Sequence, residues 1–269
     1  MLLNLLLLGL SVVSADRCTS VPPSLWCAND ELSKQCGFED LCNRYRLANH
    51  NKPINITVLM EALCPDCQLW IVGEFYPKVF KNFAEFINIE LVPFGNAKIT
   101  NGSITCQHGE EECRINRFES CLIDAVKSQD HYVPLIYCIE YQLQSTVPFE
   151  NATAKCFRRL SVSEEVQRMI QSCMVSQIGA KLQQEAAEKT ANIWPDKHTF
   201  VPWVIVNGIS LKSKQTMINN LPYLLCEWYT GDKKIPFCRS EKKKGCLKMV
   251  GENFIHRCSS QVFSVRLLM

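Results

Sequence analysis

Cys64 and Cys67 are separated by only two residues, Pro65 and Asp66. Where a Cys-x-x-Cys pair opens a helix, free backbone N–H groups and the helix dipole stabilise a thiolate on the first cysteine. Cys64 is therefore the candidate nucleophile, and Cys67 is placed to resolve a mixed disulfide formed at Cys64. In a cysteine-rich chain the same spacing also suits a structural disulfide or, less well, a zinc site.

The residues on either side of this pair predict the order strand, turn, helix. Residues 54–60 are rich in β-branched side chains and begin with alternating polarity, which predicts a strand. Apolar side chains then recur at helical spacing, with an interruption at Pro77. Alternation returns at 87–94 and predicts a second strand, parallel to the first in a β-α-β unit. This order places Cys64 at a helix N-terminus.

The later part of the chain predicts a strand at 200–206, a turn at Asn207-Gly208, a returning strand at 209–211 and a helix at 216–229. Between the two halves, a mostly helical insertion is predicted at about 95–195, with helices at 114–126, 133–143, 163–176 and 178–192. Together they predict an α/β, thioredoxin-like fold. Such folds place a cis-proline beside the reactive cysteine, so Val201 and Pro202 are candidate substrate-binding residues, unless Pro202 is an ordinary trans proline that starts a strand.

The first fifteen residues form a short apolar run that ends in small residues, which predicts a signal peptide at 1–15. Because the secretory route oxidises thiols, most of the sixteen cysteines are expected to form structural disulfides. Three sequons, at Asn55, Asn101 and Asn151, agree with that route as candidate glycosylation sites. No later stretch is long enough to predict a transmembrane segment, and the formal net charge of +2 gives no reason to expect a nucleic-acid partner.

Residues 16–46 carry four cysteines and resemble the short saposin A-type segment of prosaposin-like proteins. That resemblance implies possible lipid contact, while a disulfide-tied arm without activity is an equal alternative, because about 30 residues cannot enclose a lipid. A linker is predicted at 47–52 and a basic, cysteine-containing tail at 239–269.

A second cluster combines cysteine, amide, imidazole and carboxylate side chains within sixteen residues. Its members are Cys106, Gln107, His108, Gly109, Glu112, Cys113, Asn116 and Cys121. The pattern resembles the signature of the gamma-interferon-inducible lysosomal thiol reductase family, and the resemblance extends over roughly 53–240. We expect this cluster to be a structural loop stapled by its cysteines. The alternatives are that Gln107, His108 and Glu112 tune the active site, or that His108 and the cysteines bind a metal, which oxidised cysteines cannot do.

The resemblance implies a thiol reductase domain at 53–238 that reduces protein disulfides at acidic pH, in endosomes or lysosomes or after secretion. Its partners would be disulfide-containing proteins and a small-thiol or protein reductant, with no cofactor and no metal. A competing hypothesis is a non-catalytic, secreted, disulfide-rich protein that binds lipid or protein. Among the remaining cysteines, Cys226 and Cys238 are the best local candidates for a disulfide.

Overall fold

The computed structural model describes residues 18–243, so the predicted signal peptide and most of the predicted tail, with Cys246 and Cys258, lie outside the described residues. The chain divides into two compact units. In the described part, the smaller unit contains 18–52 and 230–232, and the larger contains 53–229 and 233–243.

The smaller unit consists of a 3₁₀ turn (Pro23–Leu25) and two helices, α1 (Asp30–Gln35) and α2 (Glu39–Asn49). The Asn29 side chain caps α1 by accepting a hydrogen bond from the backbone N–H of Leu32. Two disulfides, Cys18–Cys36 and Cys27–Cys42, hold these short elements together, since a unit of this size buries little apolar surface. Helix α2 extends to Asn49, into the segment predicted as a linker. Lipid contact by this unit stays a prediction.

The larger unit is built on a five-stranded sheet with the order β2-β1-β6-β7-β5. Its strands are β1 (Ile54–Met60), β2 (Ile87–Pro93), β5 (Trp194–Pro195), β6 (Trp203–Val206) and β7 (Ile209–Ser210), while β3 (Lys98–Thr100) and β4 (Ser103–Thr105) form a separate hairpin. Strands β1 and β2 are parallel, with Ile54 beside Ile87 and Met60 beside Pro93. Strand β6 runs antiparallel to β1, and Asn207 and Gly208, both at positive φ, turn it into β7. The parallel β-α-β unit followed by a hairpin confirms the predicted thioredoxin-like fold.

The helical segment after β1 changes its hydrogen-bonding pattern along its length. It begins as α3 (Pro65–Trp70), continues as a π-helix (Ile71–Phe80) that contains Pro77, and ends with one turn (Lys81–Phe83) and a 3₁₀ turn (Ala84–Phe86). Because proline lacks an N–H and crowds the preceding turn, Pro77 cannot be accommodated in a regular α-helix without distortion. The helix nevertheless keeps Phe75, Val79 and Phe83 in the core beneath the sheet.

Five helices lie between β4 and β5. They are α4 (Glu110–Val126), α5 (Gln129–Gln144), α6 (Phe149–Arg159), α7 (Glu164–Val175) and α8 (Gln177–Ala191). The disulfide Cys121–Cys173 joins α4 to α7, and Cys138–Cys156 joins α5 to α6. Helix α6 was not predicted from the sequence, and α4 begins four residues earlier than expected.

The chain ends its described part with α9 (Lys212–Gln215), a 3₁₀ turn (Ile218–Asn220), α10 (Leu221–Trp228) and α11 (Pro236–Lys243). The single helix predicted at 216–229 is wrong in its first part, because Pro222 suits the first turn of a new helix. The disulfide Cys226–Cys238 confirms the predicted pairing. Within residues 18–243, the helices are all too short or too polar to cross a bilayer.

Candidate functional site

Cys64 and Cys67 lie where β1 passes into α3. Cys64 is the N-cap residue of α3, and Pro65 occupies the first helical position, where its missing N–H leaves no hydrogen bond unmade. Both thiols are free, whereas the other described cysteines form six disulfides. Cys64 is 7% exposed and Cys67 is fully buried. A reagent from solvent therefore reaches Cys64 first.

The two thiols have opposite acidities. The Cys67 side chain hydrogen-bonds to Cys64 and, with the backbone N–H groups of Cys67 and Asp66, lowers the pKa of Cys64 to about 6, against burial and the Asp66 carboxylate. Burial raises the pKa of Cys67 well above its usual range, and the hydrogen bond and charge of Cys64 raise it further. The lowered pKa favours the thiolate form of Cys64, and the raised pKa favours the protonated form of Cys67.

The loop before β6 lies against Cys64. The Val201-Pro202 peptide bond is cis, and the backbone oxygen of Val201 is 3.8 Å from Cys64 Sγ. A surface groove next to this contact is lined by apolar and aromatic side chains, among them Leu69, Trp70, Phe200, Pro202 and Ile218. Leu69 and Phe200 are 62% and 42% exposed, so apolar surface is available beside the reactive sulfur.

A fully buried carboxylate, Glu61, lies three residues before Cys64 and meets the second cluster found in the sequence. Glu61 Oε1 accepts a hydrogen bond from the backbone N–H of Asn96, and Glu61 Oε2 is 3.8 Å from His108 Nδ1. The same His108 nitrogen is 2.5 Å from Glu112 Oε2, and the His108 backbone N–H donates to Glu112 Oε1 at 3.0 Å. These contacts form an acid–imidazole cluster, Glu61–His108–Glu112.

The pKa values of Glu61 and His108 are both raised within this cluster. Burial, followed by the charge of Glu112, raises the pKa of Glu61 to about 7, although the Asn96 N–H and His108 act in the opposite direction. For His108, burial lowers the pKa, but the hydrogen bond and charge of Glu112 outweigh it and give a net increase. Mildly acidic solution therefore favours the protonated forms of both Glu61 and His108.

The remaining signature residues hold the backbone that carries the thiols. The backbone N–H of Ala62 donates to Asn116 Oδ1 at 2.9 Å, and Gln68 Nε2 donates to the Ala62 carbonyl at 2.8 Å. Gln107 Oε1 accepts from Asn96 Nδ2 at 2.7 Å. Besides the Cys106–Cys113 disulfide that staples the loop, polar side chains of the loop and of α4 therefore contact the segments around the Cys64 turn.

The disulfides Cys106–Cys113 and Cys121–Cys173 overturn the alternative in which His108 and these cysteines bind a metal. Among residues 18–243, ligand atoms of the Glu61–His108–Glu112 cluster do lie within 4.8 Å of one another. His108 and Glu112 already satisfy each other by a direct hydrogen bond, however, so we assign no metal to them.

Sequence reasoning missed Glu61 and the glycine that makes room for it. Gly95 has φ +55°, and a Cβ there would overlap the Glu61 side chain. The available signal was the position of a carboxylate at the end of a predicted strand, three residues before a reactive cysteine. The sequence gives no indication that Gly95 approaches it, because that contact forms only when β1 and β2 pair.

A thioredoxin-like fold with a free, buried Cys-x-x-Cys pair at a helix N-terminus defines a thiol-disulfide oxidoreductase. The model of the gamma-interferon-inducible lysosomal thiol reductase family matches residues 55–160. Along 254 residues the chain is 33% identical to the "Gamma-interferon-inducible lysosomal thiol reductase" of Carassius auratus. The aligned region covers 90% of this chain and 95% of the relative. The chain belongs to this family.

A second relative agrees with this assignment. The Mus musculus protein of the same name is 31% identical over 233 residues, or 84% of this chain and 89% of that protein. Among solved structures, the oxidoreductase DsbA from Xylella fastidiosa is similar with a TM-score of 0.41 and 15% identity, covering 65% of this chain and 86% of that one.

Proposed function

We propose that this enzyme reduces disulfide bonds of polypeptides in an acidic compartment, with Cys64 as the nucleophile and Cys67 as the resolving thiol. The observation that carries the proposal is a pair of opposite pKa shifts in two thiols three positions apart. The pKa of Cys64, at the helix N-terminus, is lowered, and the pKa of Cys67, in the interior, is raised. The attacking sulfur must be a thiolate, whereas the resolving thiol stays protonated until the mixed disulfide has formed.

The reaction has two displacements. The Cys64 thiolate attacks one sulfur of the substrate disulfide, and the other substrate sulfur leaves and takes up a proton. Cys67 then attacks Cys64 Sγ, which breaks the mixed disulfide, releases the second substrate thiol and leaves a Cys64–Cys67 disulfide. A small thiol or a protein dithiol restores the reduced pair.

Acidic operation agrees with the lowered pKa of Cys64. At pH 5 a thiol with an ordinary pKa of about 8.5 is roughly 0.03% thiolate, whereas a pKa of about 6 gives roughly 10%. Because nucleophilicity falls with pKa at a slope of about 0.4 to 0.5, the net advantage is roughly 20-fold. Protonation of Glu61 in acid also removes a negative charge near Cys64.

The groove beside Cys64 supports a polypeptide substrate. Leu69, Phe200 and Ile218 offer apolar contacts, and the Val201-Pro202 backbone borders the reactive sulfur. An extended segment with apolar residues next to its cysteine would bury surface there, which a folded domain with an enclosed disulfide cannot do.

Passage through the secretory route to endosomes or lysosomes, or to the extracellular side, agrees with the six disulfides of the described residues. Asn101 at the tip of the β3–β4 hairpin and Asn151 on α6 are exposed and open to glycosylation. Asn55 is less suited, because it pairs within β1 and its side chain accepts a hydrogen bond from Asn88.

The test is an insulin-reduction assay from pH 4 to 8 with wild type, Cys64→Ser and Cys67→Ser. We expect Cys64→Ser to abolish turnover. Cys67→Ser should accumulate a covalent mixed disulfide with substrate, visible by mass spectrometry without reducing agent. A wild-type rate that persists in Cys64→Ser would refute the assignment, and a Cys67→Ser variant that turns over normally would remove the resolving role from Cys67.

A further inference from the structure

The Glu61 side chain takes no part in the two displacements described above, although it lies three residues before the attacking Cys64. Glu61 is fully buried. Its Oε1 atom accepts a hydrogen bond from the backbone N–H of Asn96, whereas Oε2 has no hydrogen-bond partner among residues 18–243. A buried polar atom without a partner is unfavourable, so its presence in the core needs an explanation.

The groups around Glu61 Oε2 indicate which form of the carboxyl group fits this place. His108 Nδ1 is 3.8 Å from Glu61 Oε2 but only 2.5 Å from Glu112 Oε2, so the imidazole is hydrogen-bonded to Glu112. Ligand atoms of the three residues lie within 4.8 Å of one another. An ionised Glu61 would therefore place a second negative charge close to Glu112. A protonated Glu61 carries a donor of its own, which the Glu112 carboxylate can accept after a small rotation.

The backbone of Glu61 holds Cys64 directly. The Cys64 N–H donates a hydrogen bond to the Glu61 carbonyl at 3.3 Å. Cys64 Sγ is in turn 3.8 Å from the backbone oxygen of Val201, in the loop that contains the cis bond to Pro202. A shift of Glu61 would therefore change the position of the reactive sulfur relative to this loop.

The turn after β2 packs closely against the Glu61 side chain. Gly95 has φ +55°, and a Cβ there would overlap Glu61. Asn96, which donates to Glu61, is itself held by a hydrogen bond from its side chain to Gln107 Oε1 at 2.7 Å. The Gly95 backbone also hydrogen-bonds to His198, in the segment that leads to the Val201 loop. The Glu61 carboxyl group thus lies where three loops around the reactive thiol meet.

We propose that Glu61 is a positioning residue for Cys64. It holds the Cys64 turn against the Gly95–Asn96 turn and against His108, so that Cys64 Sγ meets a substrate disulfide beside the Val201–Pro202 backbone. This arrangement is tight in acid and loosens toward neutral pH. Glu61 acts through Cys64 and makes no bond to substrate, and the inference rests on the attacking role of Cys64 proposed above.

The pKa shifts within the cluster agree with this sign. Burial, followed by the charge of Glu112, raises the pKa of Glu61 to about 7, and Glu112 also raises the pKa of His108 against the effect of burial. At pH 5 the cluster therefore contains a neutral Glu61 and a His108–Glu112 ion pair, without net charge. As the pH rises through 7, Glu61 gains a negative charge that repels Glu112 and the Cys64 thiolate.

The other titratable groups on the surrounding elements do not reverse this sign. Burial lowers the pKa of the half-buried His198 below 6.5, so this imidazole loses its charge before Glu61 ionises. Asp66 is exposed on the first turn of α3. Glu140, buried on α5, is acted on by the charge of Glu119, and its own charge acts on the resolving thiol.

The experiment compares two reactions of Cys64 in the reduced enzyme from pH 4 to 8. Alkylation by iodoacetamide reports formation of the thiolate, whereas attack on a disulfide-linked peptide also requires alignment of the sulfur beside the Val201 loop. Both rate constants are measured by acid quench and mass spectrometry. Their ratio, peptide attack over alkylation, measures positioning apart from ionisation. In wild type we expect this ratio to fall by about 10-fold between pH 5 and pH 8.

The variants at Glu61 separate its shape from its charge. Glu61→Gln carries an amide donor at every pH, so it should keep the acid value of the ratio up to pH 8. Glu61→Ala lacks both contacts and should lower the ratio by about 10-fold at every pH. Glu110→Gln, which removes an exposed carboxylate at the start of α4, is the matched control and should follow wild type.

A pair of glycine variants tests the packing against Glu61. Gly95→Ala pushes on the Glu61 side chain and should lower the ratio at pH 5, as Glu61→Ala does. Gly102→Ala is the matched control, since Gly102 has φ +79° but an added Cβ there would meet nothing within 4 Å. It carries a similar backbone strain without the contact and should follow wild type.

A wild-type ratio that does not change with pH would overturn the inference, and so would a Glu61→Gln ratio that falls as wild type does. If the variants at Glu61 fail to fold, the wild-type pH series and the two glycine variants decide. Absence of any Cys64-dependent attack on the peptide in wild type would instead refute the proposed function itself.

Discussion

Cys64 and Cys67 share one turn of helix but lie in two different environments. Cys64 faces backbone N–H groups, the Val201 carbonyl and a groove open to solvent. Cys67 is buried in the core, where the charge of Glu140 on α5 acts on it. The surface side stabilises a charged sulfur, and the interior side stabilises a protonated one.

The origin of the two environments differs as well. The acidity of Cys64 comes from its own motif, through the Cys67 thiol and the N–H groups of Cys67 and Asp66. The pKa of Cys67 is raised first by burial and then by Cys64, and the charge of Glu140, on α5 of the helical insertion, adds a smaller increase. The Cys-x-x-Cys sequence thus lowers the pKa of Cys64 locally, while the raised pKa of Cys67 depends mainly on its burial in the tertiary fold.

The largest effect is expected when the hydrogen bond from the Cys67 thiol to Cys64 is removed. Cys67→Ala should raise the pKa of Cys64 from about 6 toward its ordinary range. Alkylation by iodoacetamide at pH 6 should then slow by about 10-fold, after the higher intrinsic nucleophilicity is allowed for. Cys67→Ser keeps a hydroxyl donor and is the control, with a smaller decrease. An alanine variant as reactive as wild type would place the stabilisation in the backbone alone.

A second test concerns the buried carboxylate on the Cys64 side. The pKa of Glu61 is raised in the folded state from 4.5 to about 7, so its contribution to stability is present below pH 4.5 and is lost as the pH rises through 7. Glu61→Gln removes this dependence. Between pH 5 and 8 the variant should lose less unfolding free energy than wild type, by on the order of 1–3 kcal/mol, in urea titrations.

The Glu61→Gln variant retains a slope of the same sign in that experiment, because Glu119 and Glu140 also have raised pKa values. Glu165→Gln, an exposed control, should follow wild type. Parallel curves for Glu61→Gln and wild type would show that Glu61 is not ionised over this range, contrary to the expected titration.

The smallest effect is expected at the exposed Asp66, whose carboxylate opposes the Cys64 thiolate. Asp66→Asn should lower the pKa of Cys64 slightly. Since Cys64 is mostly thiol at pH 5 and mostly thiolate at pH 8, alkylation should rise by about 2-fold at pH 5 and stay unchanged at pH 8. A larger increase at pH 8 than at pH 5 would contradict this order.

Local patterns sufficed for the elements that carry the thiols. The predicted strand at 54–60 has the bounds of β1, and Pro202 has its cis bond beside Cys64. The helical insertion was also recognisable, but α6 was missed, because its apolar residues are few and its exposed face includes the sequon at Asn151. Helix periodicity is weak evidence where a disulfide, here Cys138–Cys156, supplies much of the constraint.

The burial of carboxyl groups around the thiols could not be predicted from such local patterns. Glu61, Glu119 and Glu140 look like ordinary surface residues in the sequence, since their burial depends on pairing of β1 with β2 and on packing of α3, α4 and α5. His108 and Glu112 stood out as part of a signature, yet their contact with Glu61 required the fold. Spacing identifies the candidate reactive groups, and tertiary packing determines their pKa values.

The disulfides of the insertion have a consequence for a protein that breaks such bonds in others. Cys138–Cys156 is enclosed, with its two residues 4% and 0% exposed, whereas Cys121–Cys173 borders a surface pocket. Attack by a thiolate requires access along the S–S axis, which an enclosed bond does not give. One copy of the enzyme therefore cannot readily break the Cys138–Cys156 bond of another, because burial separates that bond from an attacking thiolate.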